Sequence, residues 1–167
     1  GEFMKKAVSI LVSAIALLSI VFVAIFGTQP QGIVPIIYVE SMRIKPIDES
    51  SYKVNNDGQP YCTISYDENK EVTDGENSYM PYIFSTEILP KEATNQSFIY
   101  YLDNNYKDFM NFPVDNPLAN KKGAFLIKRR EDVKKTIVII NVKPLDGGKC
   151  KGDSLMVILD YKSVFKS

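Results

Sequence analysis

Few side chains in this sequence could carry chemistry. Cys62 and Cys150 are its two thiols, and histidine and tryptophan are absent. Without histidine the chain lacks the usual general base, the usual partner of a Ser or Cys nucleophile, and the commonest metal ligand. Neither Pro60-Tyr61-Cys62-Thr63 nor Gly148-Lys149-Cys150-Lys151 belongs to a Cys-x-x-Cys redox or zinc pattern. Two roles remain for Cys62 and Cys150: a disulfide in an oxidising compartment, or two unpaired small core residues. A bridge would close a long loop and, in the loop-entropy picture, add several kcal/mol. A Ser/Lys hydrolase works without histidine, but no serine stands in a nucleophile elbow. The expectation is a protein that is not an enzyme, with no catalytic residues, no metal and no cofactor.

The other polar clusters read as solvated loops. Asp57, Asp67, Glu68, Asp74 and Glu76 offer the oxygens that Ca²⁺ takes, but their spacing fits no EF-hand. Lys121, Lys122, Lys128, Arg129, Arg130, Lys134 and Lys135 form a basic sector that could meet anionic lipid or wall polymer. Glu131 and Asp132 interrupt it, which favours a solvated turn. Tyr79, Tyr82, Tyr100, Tyr101 and Tyr106 could supply a contact face, because tyrosine is enriched at interfaces. The formal net charge is zero, which argues against a nucleic-acid partner.

These residues must be positioned by two unlike parts of the chain. Ala7–Phe26, AVSILVSAIALLSIVFVAIF, is an uncharged apolar run. As a helix its twenty residues rise about 30 Å, the thickness of a bilayer's hydrocarbon core. Lys5 and Lys6 precede it, so the positive-inside tendency places the N-terminus in the cytoplasm and the remainder outside. Ser9 and Ser13 form a small-xxx-small pair that permits close helix packing. The expected organisation is a signal anchor over residues 4–27, a Pro/Gly linker over 28–35, and a domain over 36–167. Gly1-Glu2-Phe3, ahead of Met4, reads as an expression remnant. The main rival is a cleaved signal peptide on a secreted protein. It is disfavoured by the length of the run and by Phe22 or Ile25 at the −3 position of the available cleavage sites.

Beyond the linker no helical stripe of useful length appears, and strand patterns recur. A first strand is expected over Ile36–Pro46: in its second half Met42 and Ile44 alternate with Arg43 and Lys45, and Pro46 closes it. Asn55-Asn56-Asp57-Gly58 signals a turn. Strands follow at Tyr61–Tyr66, Tyr79–Leu89, Ser97–Leu102, Ala124–Lys128, Thr136–Pro144 and Ser154–Lys162. The β-branched Thr136–Pro144 run predicts a central strand. Tyr106–Asn120 is irregular, with Phe109, Met110, Phe112, Val114 and Leu118 as apolar anchors. Seven to nine short strands over about 130 residues point to an all-β sandwich.

Pro90-Lys91-Glu92-Ala93-Thr94-Asn95-Gln96, between a strand of alternating apolar residues and Ser97–Tyr100, resembles the bacterial immunoglobulin-like domain of group 2. Tyr100 stands near the position of that family's usual tryptophan. The resemblance implies an Ig-like β-sandwich over roughly Ile36–Tyr161. It also implies a spacer or binding role at a bacterial surface, and it brings no catalytic residues.

The expected protein is therefore a single-pass membrane protein at the cell surface, with its domain outside. Its expected partners are the membrane and other protein subunits or further copies of itself, in a membrane complex or filament. A wall- or carbohydrate-binding or adhesion module is the alternative, weakened by the lack of tryptophan.

Overall fold

A computed structural model describes residues 1–26, 32–74, 76–114 and 117–166. The chain divides into two compact units, Gly1–Pro35 and Ile36–Ser167. The first holds α1, Glu2–Phe26. Ser9 and Ser13 are both solvent-exposed on it, one turn apart. Among the described residues no helix is long and apolar enough to cross a membrane. The last eight residues of the apolar run, 19–26, have side chains outside the described set, and residues 27–31, the end of the expected anchor and the start of the expected linker, lie outside the described residues.

Among its described residues the second unit has ten strands: β1 Ser41–Pro46, β2 Lys53–Val54, β3 Pro60–Ser65, β4 Val72–Asp74, β5 Asn77–Leu89, β6 Phe98–Leu102, β7 Met110–Asn111, β8 Ala124–Lys128, β9 Lys135–Pro144 and β10 Asp153–Asp160. They make two sheets. One runs β1-β5-β8-β7, with β4 also on β5; the other runs β2-β3-β10-β9-β6. The chain passes between the sheets five times, so their facing sides close over a shared core. The long strand β5 serves three neighbours. Its start pairs with β4, its middle with β8, and its second half with β1.

The alternation seen in the sequence sets the inward face. Met42 and Ile44, Cys62 and Ile64, Val138, Ile140 and Val142, and Leu155, Val157 and Leu159 are all buried. The residues between them are turned outward, as a strand's two-residue period requires. Strand β9 lies inside its sheet, between β10 and β6, as its β-branched composition predicts. The 55–58 turn forms as expected. Asn55 Oδ1 accepts from the Asp57 and Gln59 N–H groups, and Gly58 takes φ of 76°.

Three features depart from the sequence reading. The first strand begins at Ser41 rather than Ile36; before it the chain is held by isolated bonds, Thr94 N–H to the Ile37 carbonyl and Glu40 N–H to the Leu89 carbonyl among them, rather than by a ladder. Ile37 N–H donates to Thr94 Oγ1 at 2.8 Å and Val39 N–H to an Asp146 carboxylate oxygen at 2.5 Å. Of the expected anchors in 106–120, Met110 is fully buried but Val114 is 72% exposed. Strand β7 ends at Asn111, and Pro113 cannot donate to extend it. Finally, β3 pairs in parallel with β10, Cys62 opposite Val157 and Ile64 opposite Leu159. Two strands nearly a hundred residues apart meet here without a local signal.

Candidate functional site

The largest aromatic assembly lies where β6 and β8 face each other across the sandwich. Tyr82 contacts Phe84 with centroids 4.9 Å apart, and Phe84 meets Phe125 edge-on at 5.6 Å. Phe125 touches Tyr100 at 5.7 Å and 90°, and Phe112 at 4.9 Å; Tyr100 touches Phe98 at 5.7 Å. The alternation of β5 supplies Tyr82 and Phe84, β6 supplies Phe98 and Tyr100, and β8 supplies Phe125. Edge-to-face pairs of this kind add about 0.5–1.5 kcal/mol each beyond area burial. The Tyr100 hydroxyl shares a 2.5 Å hydrogen bond with Thr86 Oγ1. Burial holds the Tyr100 phenol above its ordinary pKa, against that bond.

Gly123 makes the assembly possible. It has φ of 78°, and a Cβ there would run into the Phe84 carbonyl. Its own carbonyl accepts from Phe84 N–H at 2.8 Å. Beside this junction is an open, mainly apolar hollow of about 420 Å³, bounded by Phe98, Tyr100, Phe112, Lys122 and Gly123. Lys122 Nζ lies 4.8 Å from the centre of the Phe98 ring, a cation–π contact. The hollow has apolar walls and no convergent acid and base. It suits an apolar side chain rather than a reaction.

The residues singled out from sequence lie apart from it. Cys62 is buried on β3 and Cys150 half-buried in the β9–β10 loop, and both are free thiols. Burial pushes the Cys62 thiol up to about 12, so it is a core residue without thiolate reactivity. Cys150 Sγ accepts from Gly152 N–H at 3.4 Å within its own loop. Among the described residues no three His, Cys, Asp or Glu side chains gather to hold a metal. Asp67 instead caps a short turn by accepting from Asn69 N–H at 3.0 Å; the side chain of Asp74 lies outside the described set.

Both arginines of the basic sector are held by carboxylates, and Lys135 lies 3.5 Å from Asp160. Arg129 bonds Glu68 at 2.6 Å, Glu71 at 2.7 Å and Glu131 at 2.9 Å, and Lys166 reaches Glu131 at 2.7 Å. Arg130 holds Asp132 at 2.6 Å. The network ties the 68–71 turn to the β8–β9 turn and to Lys166. Of the tyrosines, Tyr100 is buried, Tyr79, Tyr82 and Tyr106 are half-buried, and Tyr101 is exposed. Two Ser-x-x-Lys spacings, Ser50–Lys53 and Ser163–Lys166, escape the sequence reading. Neither assembles a nucleophile. Ser50 Oγ donates to Asp48, Ser163 Oγ donates to the Tyr66 carbonyl, and Lys166 is held by Glu131.

Sequence reasoning found Phe98, Tyr100 and Phe125 as strand residues but missed Phe112, Lys122 and Gly123 as the lining of a hollow. No protein-family model, curated protein or solved structure matches this chain.

Proposed function

We propose that this chain is a non-enzymatic, membrane-anchored bacterial surface protein whose Ig-like domain is a structural or binding subunit of a larger assembly. The observation that carries the reading is the apolar hollow beside a strand edge, in a domain whose described residues assemble no reactive constellation. The Ig-like assignment is supported by strand order. Read β1-β5-β8-β7 as A-B-E-D and β10-β9-β6 as G-F-C, and the order is that of the constant-type immunoglobulin sheets, with β2 and β3 added beyond β10 and β4 beside β5. The Pro90–Gln96 block then forms the connection from B to C, and Tyr100 is the buried aromatic on C. Cys62 and Cys150 occupy neither position of the B–F disulfide of antibody domains, so the fold does not need them paired.

Anchoring rests on the sequence of Ala7–Phe26, flanked by Lys5 and Lys6. Ser9 and Ser13 give that helix a face for a neighbouring helix. The test is in-cell cross-linking at native expression, then detergent extraction and mass spectrometry, with protease added outside intact cells. The reading expects a membrane-extracted species cross-linked to other subunits or copies, with its domain cleaved from outside. A soluble or lone monomeric chain contradicts it.

A further inference from the structure

Strand β6 leaves its outer backbone edge unpaired. It pairs with β9 on one side alone, Ile99 opposite Lys143 and Tyr101 opposite Asn141. The Leu145 N–H donates to the Ser97 carbonyl at 2.8 Å in the same register, which fixes the parity. Residues 97, 99 and 101 bond to β9, and in an antiparallel ladder the residues between them point their N–H and C=O the other way. Those are Phe98, Tyr100 and Leu102. Among the described residues, no hydrogen bond reaches their outward groups. Lys122 stands over the Phe98 ring beside this edge, but the strand itself carries no guard. Phe-Ile-Tyr-Tyr-Leu has no charge and no proline. The side chains of Phe98 and Tyr100 also wall the apolar hollow.

The chain carries a segment of matching chemistry. Gly32–Ile36 is outside any strand, and Ile33, Val34 and Ile36 are 95%, 80% and 64% exposed. The backbone of Gly32–Ile36 makes no hydrogen bond among the described residues. We propose that this segment of a second copy adds to the open edge of β6 as an extra strand, with Val34 and Ile36 filling the hollow. The proposal rests on the assembly reading above and names its contact.

Geometry selects the register class. A residue bonded opposite Phe98, Tyr100 or Leu102 turns its side chain to the same face as theirs, toward the hollow. If Val34 and Ile36 take those places, Pro35 points its missing N–H away from the ladder, where a strand tolerates proline. Pro35 also prevents a further strand from adding outside it. Addition of an extended segment to an exposed edge, with alternate side chains in pockets, is a general mode of recognition. The ends meet as well. Ile37 is fixed to Thr94, and Ser97 precedes Phe98, so the donor segment leaves the domain close to the start of the acceptor edge. Copies standing side by side can therefore exchange it.

The experiment uses the full chain in mild detergent. Benzoyl-phenylalanine replaces Val34 in an isotope-labelled copy, which is mixed with unlabelled wild type and irradiated. The proposal expects mixed-isotope adducts between residue 34 and residues 98–102 or 112–124. Adducts confined to one copy, or mapped elsewhere, overturn it. A second arm uses Val34→Asp with Ile36→Asp; both positions are exposed, so the monomer fold is spared. A carboxylate in the apolar hollow should lower the associated fraction by about tenfold or more, with unchanged circular dichroism. Association that survives the double variant, with partners still cross-linked in cells, overturns the strand insertion and leaves the assembly reading standing. A wild type that is monomeric in detergent and in cells overturns both.

Discussion

Strands β1 and β6 both end their own pairings with an edge, and the two edges are finished differently. On β1 the outward residues are Met42, Ile44 and Pro46. The Ile44 N–H is capped by the Asp153 carboxylate at 2.8 Å, and Pro46 has no N–H to expose. Arg43 and Lys45 stand on its solvent face, Lys45 bridged to Glu87 at 3.0 Å. Just before it, Asp146 holds Val39 and Gly148 by their N–H groups. These are the charges, proline and side-chain cover by which sheet proteins block edge pairing. Strand β6 itself carries none of them; Lys122 stands over Phe98, and an apolar hollow lies alongside. One edge is closed to further pairing and the other is left free, within one domain and one core. That difference is the ground for proposing a contact surface along β6.

The largest expected effect comes from removing the floor of the β6 side. Phe125 is fully buried against Phe84, Tyr100 and Phe112. Phe125→Ala should lose about 3–5 kcal/mol in denaturant unfolding. A loss below about 1 kcal/mol would mean the aromatic junction is not a unit of the core. Next is the cap on the other side. Asp153→Ala strips the acceptor from Ile44 N–H, and a hydrogen bond to a charged group contributes about 1.5–3 kcal/mol. The same change makes the β1 edge resemble that of β6, so the variant should also associate more readily in light scattering. Unaltered stability and association would erase the contrast. Gly123→Ala should cost more than about 1 kcal/mol, since φ is positive and the Phe84 carbonyl occupies the Cβ site.

A smaller effect follows from acid. The Val39 and Gly148 N–H groups hold the Asp146 carboxyl below its usual range, and the Arg130 guanidinium holds Asp132 at about 2. A carboxylate with a depressed folded pKa stabilises the fold above its unfolded value of about 3.9 and loses that contribution as pH falls through the folded value. Stability should therefore decline from about pH 4 toward pH 2. Asp146→Asn and Asp132→Asn should each flatten that decline. The acid-sensitive Val39 latch belongs to the β1 side, so its amide should lose exchange protection over this window before those of Ile99 and Tyr101 on β6. A decline identical in wild type and both variants would contradict these assignments.

Much of the fold is legible in the sequence for a local reason. Burial follows a two-residue period, and Met42/Ile44, Cys62/Ile64 and Val138/Ile140/Val142 each carry it within a few residues. The parallel pairing of β3 with β10 is not legible, because it joins Cys62 to Val157 through contacts no local pattern encodes. The candidate surface is hidden for a related reason. Phe-Ile-Tyr-Tyr-Leu reads as a strand wherever it lies, and the sheet order decides that it lies at an edge. Lys122 and Gly123 read as a turn, and only the position of the Phe84 carbonyl makes Gly123 necessary. The cysteines drew attention by rarity alone, and Cys62 is a core residue.

The central claim is tested most directly by amide hydrogen exchange on the full chain in detergent, read residue by residue along β6 at low and high protein concentration. In the dilute chain the Ile99 and Tyr101 amides should be protected by β9, while those of Phe98, Tyr100 and Leu102 exchange freely. At high concentration the latter three should become protected together with Val34 and Ile36. A Tyr100 amide already protected in the dilute monomer, or one that stays unprotected as the chain associates, would contradict the account.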